Sequence, residues 1–285
     1  MSDPDDLHIV DVHDHAHMAA VSDLFDLVWG RDAAAGRIMS PEVLTAIAHA
    51  GGQVSAVFED DDIVAATAAF VGLDDGHVFL HSHITGVLGT HTSRGIGRAL
   101  KWHQRDWCLG RGIGHVRWTF DPLVRRNAWL NLGLLGARAL RIERDLYGRV
   151  PDARNAGAPT DRLLVDWELD APRVRAAAAG RAAAPDVDAL RRTGAMVLVD
   201  VGGSGQAVVG SQVPPDVEHG ARWLVRVPPD IEGLRAEDPA LADEWAVIVR
   251  EVLTTAFRAG ADIRAVTPDG WYLLAAGGPR ELSGD

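Results

Sequence analysis

Two glycines placed two residues apart, Gly95 and Gly97, stand where an apolar run gives way to an amphipathic one. The stretch reads Ile-Thr-Gly-Val-Leu-Gly-Thr-His-Thr-Ser-Arg-Gly-Ile-Gly-Arg-Ala-Leu over residues 84–100. Glycine lets the backbone approach a bulky anion and leaves amide N–H groups unobstructed. A helix opening at that point adds its partial positive charge. A pyrophosphate suits such a loop, held by Ser93, Gly95, Ile96 and Gly97, with Arg94 and Arg98 supplementing the amides from the side. Just upstream, His81 and His83 are two apart on the same apolar run, so on a strand they share one face. An imidazole, ordinarily near pKa 6.5, can take a proton from an attacking amine at neutral pH. Asp121 is a second candidate base.

These residues need a strand, a turn and a helix to hold them. The pattern predicts strands over 8–12, 54–58, 63–71 and 77–88, the middle pair joined by the acidic turn 59–62. Helices are expected over 17–29 and from Ser40, with Ser40 as N-cap and Pro41 at the first helical position, to Gly51-Gly52. After the glycine turn a helix over 98–109 stops at Gly110 and Gly112. A strand over 116–120 closes at Asp121-Pro122, a short helix follows over 127–135, and strands over 140–144 and 163–169 complete the first part.

Other constellations carry less. A dinucleotide-binding turn needs a third glycine at a position where this chain has Leu100, and it belongs near the start of a βαβ unit. The string His13-Asp14-His15-Ala16-His17 resembles a metal-binding run, but it is read as a solvated, helix-capping segment, and no metal is expected. Gly202 to Gly205 lacks a following Lys-Ser/Thr and reads as a hairpin turn. Trp102, Trp107, Trp118, Trp129 and Trp167 read as core and groove wall.

At 285 residues, 47% hydrophobic and 24% charged, the chain has ordinary globular composition and length for one large domain or two smaller ones. Cys108 is the only cysteine, so a disulfide framework within the chain is excluded and a reducing compartment is expected. No apolar run reaches the length of a membrane span and the acidic start lacks a secretory pattern, so a soluble, cytoplasmic protein is expected. The formal net charge of −12, with Lys101 as the only lysine, argues against nucleic-acid binding. It would also suit an amine substrate, although acidity most often serves solubility.

Strand, Gly-x-Gly turn, helix and flanking order together resemble the GNAT acetyltransferase family over about residues 7–169. The resemblance implies an α/β (α+β) fold with a mixed, mostly antiparallel sheet flanked by helices, split where the fourth and fifth strands diverge. It implies acetyl-CoA, or another acyl-CoA such as succinyl-CoA, as co-substrate and a small amine or amino acid as acceptor. Gly86 and Val87 would pair by backbone with the pantetheine arm, and Asn127 would hydrogen-bond it. Thr92 stands where the family has Gln or Arg, and Leu132 where many members have a proton-donating tyrosine. The His81/His83 spacing is similar to the H-x-H pair of arylalkylamine N-acetyltransferases. The reading is therefore an N-acyltransferase working by direct attack, with a CoA-binding sensor of the same shell as the alternative.

The expected organisation is an acyltransferase domain over 1–170, an Ala- and Arg-rich linker or loosely packed helix over 171–185 and a smaller α/β region over 186–285. That last region shows a hairpin (196–201, 207–213), a strand (222–227), a helix (242–258) and a strand (270–275). Its order repeats strand–helix–strand without a Gly-x-Gly turn, as a degenerate half or an appendage would, and a homodimer is a further possibility.

Overall fold

The computed structural model describes residues 8–30, 36–148, 159–213 and 220–276. The acidic N-terminal segment lies outside the described residues. In chain order the elements are β1 (His8–Asp11), α1 (His15–Val28), α2 (Pro41–His49), β2 (Gln53–Glu59), β3 (Asp62–Asp74), β4 (His77–Val87) and α3 (Ile96–Leu109). Then come β5 (His115–Phe120), α4 (Arg125–Ala128) running into a π-helical turn (Trp129–Leu134), β6 (Arg138–Glu143), β7 (Arg162–Glu168) and α5 (Pro172–Ala178). The remainder is α6 (Val187–Arg192), β8 (Met196–Val201), β9 (Ala207–Val209), β10 (Arg222–Arg226), α7 (Ile231–Glu237), α8 (Pro239–Arg258), β11 (Ala261–Val266) and β12 (Trp271–Ala276). This is the α/β class, with mixed sheets flanked by helices. Among the described residues no helix is long and apolar enough to cross a membrane.

Two compact units are formed. Of the described residues, the first holds 8–30, 36–119 and 166–180, and the second holds 120–148, 159–165 and 181–276. The chain passes between them inside β5 and inside β7, rather than only at the stretch expected as a linker. Part of that stretch is helix α5, whose Val174 is fully buried.

The first sheet has the order β1-β2-β3-β4-β5-β7-β6. Neighbours from β1 to β4 are antiparallel, whereas β4 and β5 are parallel. Asp75 and Gly76, both at positive φ, make the two-residue turn of the β3–β4 hairpin, as an Asp-Gly pair is suited to do. Met18, Val21, Leu24 and Phe25 recur at helical spacing and bury α1, with α2, against Val54, Ala56, Ala66, Ala68 and Ile84. On another cluster, Ile96 and Leu100 of α3 pack with Val57, Val64 and Ala65. Asp14 caps α1 by accepting from His17 N at 3.0 Å and also takes the His17 ring nitrogen at 2.6 Å. The histidine-rich string thus opens a helix.

The second unit is built on the sheet β11-β12-β10-β8-β9, in which only β10 and β8 are parallel. Helices α6 and α7 and strand β11 are additional to the sequence expectation. Each is six or seven residues long, too short to show a full apolar period. Trp223, Trp245 and Tyr272 are fully buried in this unit.

Candidate functional site

The glycine turn is formed as its sequence requires. Gly95 is the N-cap of α3 at φ +79°, a left-handed conformation that disfavours any Cβ, and the space beside it is open. No side chain caps the helix, so the N–H groups of Ile96, Gly97 and Arg98 have no intrahelical acceptor. Helix α3 is 14 residues long and begins at Ile96, two residues earlier than the spacing alone indicated. Ser93 is also left-handed, at φ +67°, and it alternates with Arg94 to curl the loop. Arg94 is exposed, and Nη2 is held by Glu59 Oε1 at 2.9 Å. His91 donates to the other oxygen of Glu59 at 2.8 Å, so the end of β2 pins the loop from both sides. Thr92 keeps its hydroxyl inside the loop, donating to Gly89 O at 2.9 Å. Arg98 is exposed.

Strand β4 delivers the rest. Gly86 is buried with its Cα against α1, because a Cβ there would sit 3.0 Å from the Trp29 ring and 3.3 Å from Phe25. Val87 follows, half-buried. The β3–β4 register steps from Ala68↔Ile84 to Ala69↔Ser82, which leaves His83 as the extra residue of a β-bulge. The β4–β5 register holds only at Leu80↔Val116 and His81↔Arg117. Beyond His81 the two strands part, and the open edge of β4 runs from the bulge to Val87.

His81 and His83 do share a face, with ring centroids 5.9 Å apart. Phe70 on β3 closes the group at 4.8 Å from His81 and 5.6 Å from His83. Burial pushes His81 down to about 4, helped by the charges of His83 and Lys101, and burial lowers His83 as well. Both rings are therefore neutral at pH 7 and have a site free to accept a proton. His83, at the bulge, is the more exposed of the two.

Behind them lies a polar cluster that spacing did not single out. Lys101 of α3 is buried and donates to Ser82 Oγ at 2.7 Å and Gln104 Oε1 at 3.2 Å. Gln104 in turn donates to Gln53 Oε1 at 3.0 Å. The Lys101 ammonium stands 4.0 Å from the Trp118 ring centre, and burial pushes it down to about 7. The signal was present in the sequence, because Lys101 and Gln104 interrupt the apolar stripe of Ile96, Leu100, Trp107 and Cys108. Trp167 packs between Trp102 and Trp118 as core, at 5.4 and 5.9 Å. The Cys108 thiol is buried and pushed up to about 12, which leaves it inert as a nucleophile.

Asp121 and Asn127 belong to the second unit. Asp121 is buried, with Oδ1 accepting from Leu123 N at 2.9 Å and Oδ2 from Arg235 Nη2 at 2.6 Å. Both oxygens are engaged structurally, so the carboxylate is a poor candidate base. Asn127 sits in α4, whose continuation as a π-helical turn contains Leu132.

No family model and no curated protein matches the chain. Solved structures that match part of the chain include acetyltransferases. The ribosomal-protein-S18-alanine N-acetyltransferase of Escherichia coli is 14% identical, over 58% of this chain and 95% of its own, with a TM-score of 0.46. A GNAT-family acetyltransferase of Streptococcus pneumoniae is 11% identical, over 56% and 98%, with a TM-score of 0.45. A GNAT-family acetyltransferase of Elizabethkingia anophelis, solved with acetyl-CoA bound, is 16% identical, over 57% and 99%, with a TM-score of 0.44.

Proposed function

We propose that the protein is an acyl-CoA-dependent N-acyltransferase of the GNAT type, acting on a small amine or amino acid. The observation that carries this reading is the left-handed Gly95 cap. It presents unblocked helix amides at the end of a strand that bears two neutral imidazoles. The open space beside Gly95 and the free N–H groups of Ile96, Gly97 and Arg98 fit a pyrophosphate. Ser93 and exposed Arg98 flank it, while Arg94 would have to leave Glu59 to reach it. The open edge of β4 at Gly86 and Val87 is suited to pair with an extended amide-bearing arm.

An acyl thioester supplies the electrophilic carbonyl. His83 receives the proton that the amine loses as its nitrogen bonds to that carbon and the carbon–sulfur bond breaks. A strand-end amide polarises the carbonyl oxygen. Burial keeps His83 neutral, and His81, lower in basicity, backs it as a relay. Leu132 offers no proton, so the departing thiolate is protonated through water, with the His83 imidazolium as the source that returns His83 to its neutral form. Acetyl-CoA is the default donor, and succinyl-CoA is an alternative to be tested.

The region over 186–285 is proposed as a degenerate half of the same kind, with an unrelated α+β appendage as the alternative. Its helix starts are capped by Asp230 and Asp238, which donate no charge to an anion and repel it. CoA binding at residues 230–245 would contradict this.

Calorimetric titration with CoA, acetyl-CoA and succinyl-CoA tests the main reading. Micromolar binding that disappears in Gly95→Glu supports the loop, and the tighter thioester names the donor for an amine screen. Binding without turnover of any amine favours the sensor alternative. No binding to any of the three sinks both.

A further inference from the structure

We infer that the second unit holds a binding site for a free α-amino acid, or another small zwitterion that carries a carboxylate and an ammonium. The inference is independent of acyl transfer. A cleft of about 370 Å³ opens in this unit and is lined by Arg191, Arg226, Trp271, Asp186, Asp188 and Asp269. Its size sits at the small end of ligand pockets, as a compact polar molecule needs.

Arg226 carries the argument. Its Nε is buried and has no hydrogen-bond partner. Its other nitrogens reach only 3.5 Å from Asp200 Oδ1 and 3.7 Å from Asp269 Oδ2, which are ion-pair contacts longer than good hydrogen bonds. Asp200 is drawn instead to Arg191, whose Nη2 stands 3.0 Å from Oδ2. Arg226 thus stands at the wall of a cleft with Nε lacking an acceptor and its terminal nitrogens held only by long ion pairs, so an acceptor that enters can improve on its present partners. The Trp271 indole fixes the two forks in place, with Arg191 4.7 Å and Arg226 5.1 Å from its ring centre. A carboxylate is the acceptor whose shape matches a guanidinium edge.

Charge at the rim says what else the ligand carries. Asp186, Asp188 and Asp269 are exposed around the same cleft. One oxygen of Asp186 accepts from Ala189 N at 2.9 Å. Three carboxylates repel a free phosphate and attract an ammonium. A ligand with both charges close together satisfies the fork and the rim at once.

The test is calorimetry on the full chain with L-alanine, L-leucine, L-arginine and L-glutamate. Each is paired with its N-acetyl and its amide form, and inorganic phosphate is run beside them. At least one free amino acid should bind, and capping either end should weaken it about tenfold or more. Arg226→Gln should weaken that binding by a similar factor. Asp188→Asn, an exposed rim change that leaves the melting temperature unaltered, should weaken the free amino acid several-fold and serves if Arg226→Gln does not fold. No free amino acid binding at about 10 mM overturns the proposal. So do equal affinity for capped forms, preference for phosphate, or indifference to Asp188→Asn.

Discussion

The Lys101 ammonium donates to Ser82 Oγ at 2.7 Å, and Ser82 lies between His81 and His83 on β4. The bond ties the helix that follows the glycine turn to the strand that bears the imidazoles, from the face opposite to them. No carboxylate answers the lysine there, so burial lowers its pKa from 10.5 to about 7. Between those values the unfolded chain binds the proton and the folded chain does not. Stability is then complete above the unfolded value and is lost as pH falls through the folded one, at up to about 1.4 kcal/mol per pH unit. Urea unfolding from pH 7 to 10 should show this rise, and Lys101→Met should flatten it and gain stability at pH 7. A wild-type curve without a slope in that window would refute the assignment.

The imidazole pair gives a second expectation. Burial lowers both histidines, His81 to about 4. The acidic limb of the pH–rate profile should therefore lie below 6.5, and the histidines' contribution to stability should be lost as pH falls below 6.5 through their folded values. Phe70→Ala admits water to both rings and should move their titrations back toward 6.5. Proton NMR of the imidazole carbons reads this without any substrate. Unmoved titrations would mean that Phe70 is not what keeps them dry.

Loss of the proposed base should be pH-dependent. His83→Gln should lower turnover by about 100-fold at pH 7, with a smaller deficit at pH 9, where more of the amine is already deprotonated. An equal loss at both values would move the base to another residue.

The glycine turn predicts a contrast between its two glycines. Gly95 is left-handed with open space around it, so Gly95→Ala should cost about 1–2 kcal/mol of stability from backbone strain alone. Gly97 lies inside the helix, and a Cβ there would rest 3.9 Å from Val87 Cγ2. Gly97→Ala should be neutral or stabilising by up to about 1 kcal/mol. Denaturant midpoints of the two variants decide it.

Asp121 and Arg235 form a buried ion pair in the second unit, with side chains 10% and 5% exposed. Arg235→Met should destabilise by about 3–5 kcal/mol, because it leaves a buried charge alone. The double variant with Asp121→Leu should recover most of that loss. If the single and double variants are equally unstable, the pair's role is not electrostatic.

Local chemistry made the turn, the caps and the hairpins readable. Gly95 has a left-handed conformation that few other residues tolerate, and Ser40 with Pro41 is a pairing suited to a helix start. What escaped is set by partners distant in sequence. The bulge at His83 depends on how β3 registers against β4, and alternation along β4 alone cannot reveal it. Asp121 looks free until Arg235, 114 residues on, is placed beside it. Phe70 reads as an ordinary strand aromatic until the hairpin sets it across from His81. Helices α6 and α7 are too short for period to separate them from loop.

Because Lys101 is the only lysine in the chain and is buried, the described surface offers no lysine amine for an activated ester to attack. A protein that stores or spends reactive thioesters is exposed to uncatalysed acylation of its own amines. On the proposed reading such acylation would find no exposed lysine amine among the described residues, and amine-reactive labels should leave Lys101 untouched until the protein unfolds.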